Sequence, residues 1–157
     1  MPAAAADSAS GTFSGQSFGK PASVTFKDVY AFRAEDNKEP VTVVILSESP
    51  MDKKAMTSAL KKEREAFALI RGPYLDNTAY AKIEIDQNGE IKRLYFFKPP
   101  GSNLSLSGIG KSDVKVNTAK RVEGRFSHDD TDSRGELRRI DLRFATDLAD
   151  VGAPVKN

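Results

Sequence analysis

Between Ala79 and Phe97 the chain alternates with period two on both sides of a short polar interruption, Asp86-Gln87-Asn88-Gly89. Ala79, Ala81, Ile83 and Ile85 alternate with Tyr80, Lys82 and Glu84, and Ile91, Arg93, Tyr95 and Phe97 alternate with Lys92, Leu94 and Phe96. Strand patterning flanking an Asn-Gly pair is the strongest short-range signal for a β-hairpin, because both residues tolerate the positive φ of a primed turn. A lone hairpin is marginally stable in water, so the rest of the chain must supply strands for it to pack on.

Those strands are legible on both sides. Gly11 to Phe18 reads as a short strand with Phe13 inward, closed by Gly19, Lys20 and Pro21. Val24, Phe26, Val29, Tyr30 and Phe32 form a longer one whose alternation slips near Asp28, which signals a β-bulge or burial on both faces. Val41 to Leu46 is a near-continuous β-branched and aliphatic run, the pattern of a central strand covered on both sides. Ser49-Pro50-Met51-Asp52 then opens a helix, with serine as N-cap, proline at the first helical position and a carboxylate at the third. Met51, Ala55, Met56, Ala59 and Leu60 share one face of that helix, which spans about 50–64; Ala66 to Ile70 extends it or starts another strand.

Beyond the hairpin, Leu104 with Leu106, Val114 with Val116, Val122 to Phe126, and Leu137 to Phe144 read as further strands, separated by Pro99-Pro100-Gly101 and by an acidic loop from His128 to Arg134. Eight or nine short strands and one helix point to a mainly β fold, an antiparallel β-sandwich with the helix as a crossover. A partly closed barrel is the alternative. The length of 157 residues suits one domain, read as 11–148, between an N-terminal tail at 1–10 and a flexible C-terminal tail at 149–157.

The chain contains no cysteine, which excludes disulfides, thiolate nucleophiles and cysteine-based zinc sites. A net charge of +2 lacks the concentrated basic footprint of a nucleic-acid binder, so no specific nucleic acid is expected. No apolar run reaches the roughly 18 residues that span a bilayer. At the N-terminus, Ala4 and Ala6 match the small-residue end of an export signal with cleavage before Asp7, and an ordinary alanine-rich tail is the other reading.

Several blocks also carry a resemblance. Val29-Tyr30-Ala31-Phe32-Arg33, Val43-Val44-Ile45-Leu46-Ser47 running into Ser49-Pro50-Met51-Asp52, Arg121-Val122-Glu123-Gly124-Arg125-Phe126 and Ile140-Asp141-Leu142-Arg143-Phe144 resemble a loose group of uncharacterised exported bacterial β-proteins. The blocks are mostly strand patterning over about two thirds of the chain. The resemblance implies an exported β-fold, secreted or periplasmic, and carries no catalytic residue.

Candidate sites are few. Asp129, Asp130 and Asp132 lie within one turn's length and could offer several oxygens to calcium. Asp130, Asp132 and Gly135 match positions 1, 3 and 6 of an EF-hand loop, but Arg134 stands at position 5 and Asp141 at position 12, so the motif fails and a solvated turn is the plainer reading. Gly108-Ile109-Gly110-Lys111-Ser112 is similar to the end of a phosphate loop, but Ser105 replaces the first glycine and a strand follows in place of a helix. His128 is the sole histidine and no Gly-x-Ser-x-Gly elbow accompanies it, so no catalytic set is assigned. Glu35, Asp36, Glu84 and Asp86 read as solvating carboxylates.

Leu94, Tyr95 and Phe96 put apolar groups on both faces of one strand and mark an interaction patch if they are uncovered. The expectation is a noncatalytic exported module that binds a protein or envelope component by a sheet edge or aromatic patch. The alternatives are a hydrolase working through acidic residues and a small-ligand or calcium-binding module.

Overall fold

The structure, a computed structural model, describes residues 7–17, 20–75, 77–108, 110–131 and 137–157. Two sheets face each other, and there is no closed barrel. The first contains β1 (Ser8–Ser17), β2 (Lys20–Thr25), β8 (Lys111–Asn117), β9 (Arg121–Thr131) and β10 (Leu137–Asp147), in the order β2-β1-β10-β9-β8. The second contains β3 (Asp28–Asp36), β4 (Glu39–Ser47), β5 (Tyr80–Ile85), β6 (Ile91–Lys98), β7 (Ser102–Ser107) and β11 (Val155–Lys156), in the order β11-β3-β4-β5-β6-β7. Every pairing between these strands is antiparallel except β11 on β3. Among the described residues no helix is long and apolar enough to cross a membrane.

The slip in alternation near Asp28 has a simpler cause than a bulge. Val24 and Phe26 belong to the first sheet's end of the chain and Val29 to the second sheet, so the run expected as one strand is two, joined where the backbone changes layers. Once in the second sheet, Val29 to Phe32 are buried in succession, because that sheet is covered on both faces. β4 lies inside the sheet between β3 and β5, and its consecutive apolar residues serve two layers. Val44 and Leu46 enter the core between the sheets, whereas Val41, Val43 and Ile45 face the helices.

Two short helices, α1 (Lys53–Glu63) and α2 (Ala66–Arg71), form a third layer over the outer face of the second sheet. They link β4 to β5, which are adjacent antiparallel partners, so the helical excursion covers a sheet face and does not carry the chain between sheets. The N-cap of α1 is Asp52 and not Ser49: its side chain accepts from the Ala55 amide at 3.1 Å. Asp28 Oδ2 takes the Met51 amide instead, at 2.8 Å, holding the Pro50-Met51 segment against β3 and out of the helix. Arg64 stops α1 in the left-handed region at φ 58°, and Ala66 to Ile70 start the second helix at a new angle.

The hairpin of β5 and β6 forms in the register its alternation implies, with Tyr80 opposite Phe97 and Ile83 opposite Leu94. Its turn differs from a two-residue primed turn. Gly89 has φ 80°, Asn88 does not have positive φ, and Asp86 organises the loop by accepting from the Asn88 and Glu90 amides at 2.8 and 3.0 Å. Aspartate captures its own downstream amides readily, which lengthens the turn and sets the register shift beside Ile85.

Residues 149–157, expected as a flexible tail, dock on the sheet. Val151 and Val155 are buried among Phe32, Ala34 and Leu60, and β11 pairs with β3. Arg64 holds the segment: its guanidinium donates to the carbonyls of Val151 (2.5 Å) and Ala153, and its own carbonyl accepts from the Lys156 amide at 2.9 Å. Arg64→Ala is therefore expected to cost about 1–2 kcal/mol in chemical denaturation, because charge-assisted bonds to backbone carbonyls are lost. It should also speed amide exchange at 155–157, and unchanged exchange there would show that apolar packing alone holds the segment.

Candidate binding cleft beside an open strand edge

β7 is the end of its sheet and, among the described residues, pairs only with β6. Leu104 and Leu106 point into the core between the sheets, which leaves Ser105 and Ser107 on the opposite face. Its sequence, Ser-Asn-Leu-Ser-Leu-Ser, has neither charge nor proline. The β8 edge of the other sheet is guarded, since β8 carries Lys111, Asp113 and Lys115. Charges and prolines on edge strands discourage pairing with other chains, so of these two edges β7 is the better suited to accept another strand.

Next to β7 is a cleft of about 540 Å³. Phe67 and Ile70 of α2 form one wall, Leu94 and Tyr95 of β6 another, and Ser105 to Ser107 the rim. Phe67 is 46% exposed, the one large hydrophobic side chain so exposed among the described residues, and the Arg71 guanidinium lies 4.3 Å over its ring.

The floor is polar, and its order follows from the register. Lys82, Tyr95 and Ser105 stand opposite one another across β5, β6 and β7, and Glu84, Arg93 and Ser107 form the next row on the same face. Closer to the helices that face is sealed by Tyr80, Ile45 and Val43, but α2 is too short to cover these two rows.

Asn157 partly covers the floor. Its side-chain amide donates to Glu84 Oε2 at 2.6 Å, and its carbonyl oxygen accepts from Lys82 Nζ. Glu84 is only 3% exposed and Asp36 7%. Arg93 is 3.4 Å from Asp36 Oδ2, Lys92 is 4.0 Å from Glu84 Oε1, and Lys92 also reaches Glu39 at 3.9 Å.

Burial is the first cause that raises Glu84, and its hydrogen bond with Asp36 adds to it, bringing the carboxyl up to about 7. Asp36 moves the other way, lowered first by that same bond and then by Arg93, Lys92 and Lys82. Burial pulls Lys82 down to about 8 against the attraction of Glu84 and Asp36. Asp36 Oδ2 and Glu84 Oε1 have no hydrogen-bond donor from elsewhere in the described structure. Two carboxyls so placed cannot both ionise cheaply, and Glu84 keeps its proton below about pH 7 and is partly protonated near neutral pH.

This arrangement gathers buried charge beside the cleft, but it presents one carboxylate to the cleft where glycoside cleavage uses two. A glycosidase pair stands about 5–10 Å apart to admit the sugar carbon or a water. Asp36 and Glu84 shift each other's ionisation in opposite directions, and of the two only Glu84 lines the cleft.

The residues singled out from sequence are dispersed. Leu94 and Phe96 are each 2% exposed and pack in the core between the sheets, so the expected surface patch is not uncovered; Tyr95 lines the cleft, Leu94 borders it from the core side, and Phe96 does not reach it. Asp129 lies in β9 opposite Arg139, with which it pairs at 3.4 Å. Asp130 is in the same strand opposite Arg138, and Asp132 lies outside the described residues. The stretch from His128 to Thr131 is strand and not loop. Among the described residues no three of His, Cys, Asp or Glu gather to hold a metal. The strand expected after the phosphate-loop-like stretch is present, but it begins at Lys111, inside residues expected as a turn.

Asp36, Lys82, Glu84 and Asn157 were not marked as a group by sequence. The available signal was indirect: β4 is apolar on both faces, so its neighbour's polar residues lie under a third layer. No protein-family model, curated protein or solved structure matches the chain.

Proposed function

We propose that the protein is a noncatalytic, exported interaction module that receives an extended segment of a partner protein along β7. The observation that carries the reading is an unguarded edge strand beside a ready-formed cleft. Edge addition draws its affinity from main-chain hydrogen bonds and its selectivity from pockets for alternate side chains, and β7 with its cleft offers both. The Ala4-x-Ala6 match favours export, and β1 opens at Ser8, just past that boundary. Residues 1–6 themselves lie outside the described residues.

The test uses synthetic peptides and the whole chain. An acetylated, amidated peptide of alternating threonine and valine is expected to bind with a micromolar-range Kd in fluorescence anisotropy. Two versions, N-methylated at odd or at even positions, separate edge pairing from plain apolar contact, because a strand donates to its neighbour from one edge only. One version should bind like the parent and the other should weaken by about tenfold or more, the loss of a few main-chain hydrogen bonds. Equal binding by both, or none by any, would overturn the reading.

A further inference from the structure

Taking β7 as a pairing edge, on which this inference rests, we propose that the cleft is a pocket for a carboxylate: an aspartate or glutamate of the paired segment, received by Arg93 with Lys82 behind it.

The register places the groups. A strand added to β7 extends the rows Lys82–Tyr95–Ser105 and Glu84–Arg93–Ser107 by one residue each. Neighbouring strands are about 4.8 Å apart, so a residue paired opposite Ser107 lies about two spacings from the Arg93 backbone. Serine is small, and a glutamate reaching inward meets a guanidinium reaching outward above it. Arg93 is suited to this, since its side chain is 59% exposed and its ion pair with Asp36 engages one end of the fork. A guanidinium has five N–H donors and grips a carboxylate in two-point geometry.

The charge of the cluster favours an anion. Lys82 from β5 and Lys92 and Arg93 from β6 face Asp36 from β3 and Glu84 from β5, with Glu39 from β4 touching Lys92 from outside. Glu84, raised to about 7, is only partly ionised near neutral pH, so the two buried carboxyls carry less than two full negative charges. That leaves the cations in excess, in a partly desolvated site where the imbalance is felt strongly. A lysine on the partner would meet Arg93 and Lys82 and be repelled. An apolar residue would touch Phe67 and leave the excess charge unanswered.

The experiment compares peptides that differ at the one position paired opposite Ser107: glutamate, glutamine, lysine and leucine, read by anisotropy with a neutral dye. The glutamate peptide should bind about tenfold tighter than the glutamine one, as expected for a charge-assisted two-point contact, and the lysine peptide weaker than both. Arg93→Gln should erase the preference, so that the glutamate and glutamine peptides bind it alike. Equal binding of glutamate and glutamine peptides, or tightest binding by leucine, would overturn the carboxylate pocket while leaving edge pairing in place. If none binds, both fail.

Discussion

Phe96→Ala is expected to cost about 3–5 kcal/mol, the range for removing a fully buried aromatic ring. The Phe96 ring stacks on Phe13 of β1 at 4.0 Å between centroids with planes 16° apart, and meets Phe26 edge-on at 6.3 Å. It is thus a principal link between the two sheets, and neither neighbour can move in without leaving its own strand or turn. Guanidinium denaturation should show the midpoint falling with little change in slope, and the melting temperature should drop by on the order of 10 °C for a chain of this length. Phe67→Ala supplies the contrast: its ring is nearly half exposed, so stability should change by about 0.5 kcal/mol or less while peptide affinity falls. A loss below about 1 kcal/mol at Phe96 would mean that the sheets are not joined through this cluster.

Glu84→Gln should make the protein more stable than the parent at pH 8 and about equal to it near pH 5. Glu84 titrates at about 7 in the folded chain, against an ordinary value of 4.5. Between those values the native state binds more protons than the unfolded one, so stability falls as pH rises. The contribution is fully present below 4.5 and is lost as pH passes through 7. The swing is on the order of 2 kcal/mol. Glutamine cannot ionise, retains an oxygen for Asn157, and offers Asp36 an N–H in place of the carboxyl proton, so its profile should be flat across this window. Asp36, lowered from 3.8, acts in the opposite sense and only at more acid pH. Lys82, lowered to about 8, adds stability only above that value, so the comparison stops at pH 8. Parallel profiles for the two proteins would contradict the raised ionisation of Glu84.

The sandwich was legible because its signals are local and periodic. The alternation from Tyr80 to Phe97 sets the hairpin register by itself, and the unbroken apolar run at β4 announces a strand covered on both sides. Changes of layer were not legible: between Phe26 and Val29 the sequence shows only a slip in period, which a bulge and a sheet change produce alike. Ser49-Pro50 presented a better helix start than Asp52, but Asp28, over twenty residues away, claims the Met51 amide and decides the boundary. The last residues look like a tail because the strand is two residues long and its anchor, Arg64, is distant in sequence. The cleft was hidden for the same reason. Lys82 and Glu84 have the alternation of solvent-facing residues, and it takes α2, Asn157 and β3 to bury them.

Amide hydrogen exchange along the whole chain, measured with and without the saturating glutamate peptide, tests the binding edge most directly. Pairing with β7 should slow the amides of Ser102–Ser107 by about tenfold or more, because newly bonded edge groups become protected, and leave β8 and β2 unchanged. Saturated binding with protection on β8 or β2, or with no protected strand edge, would contradict it.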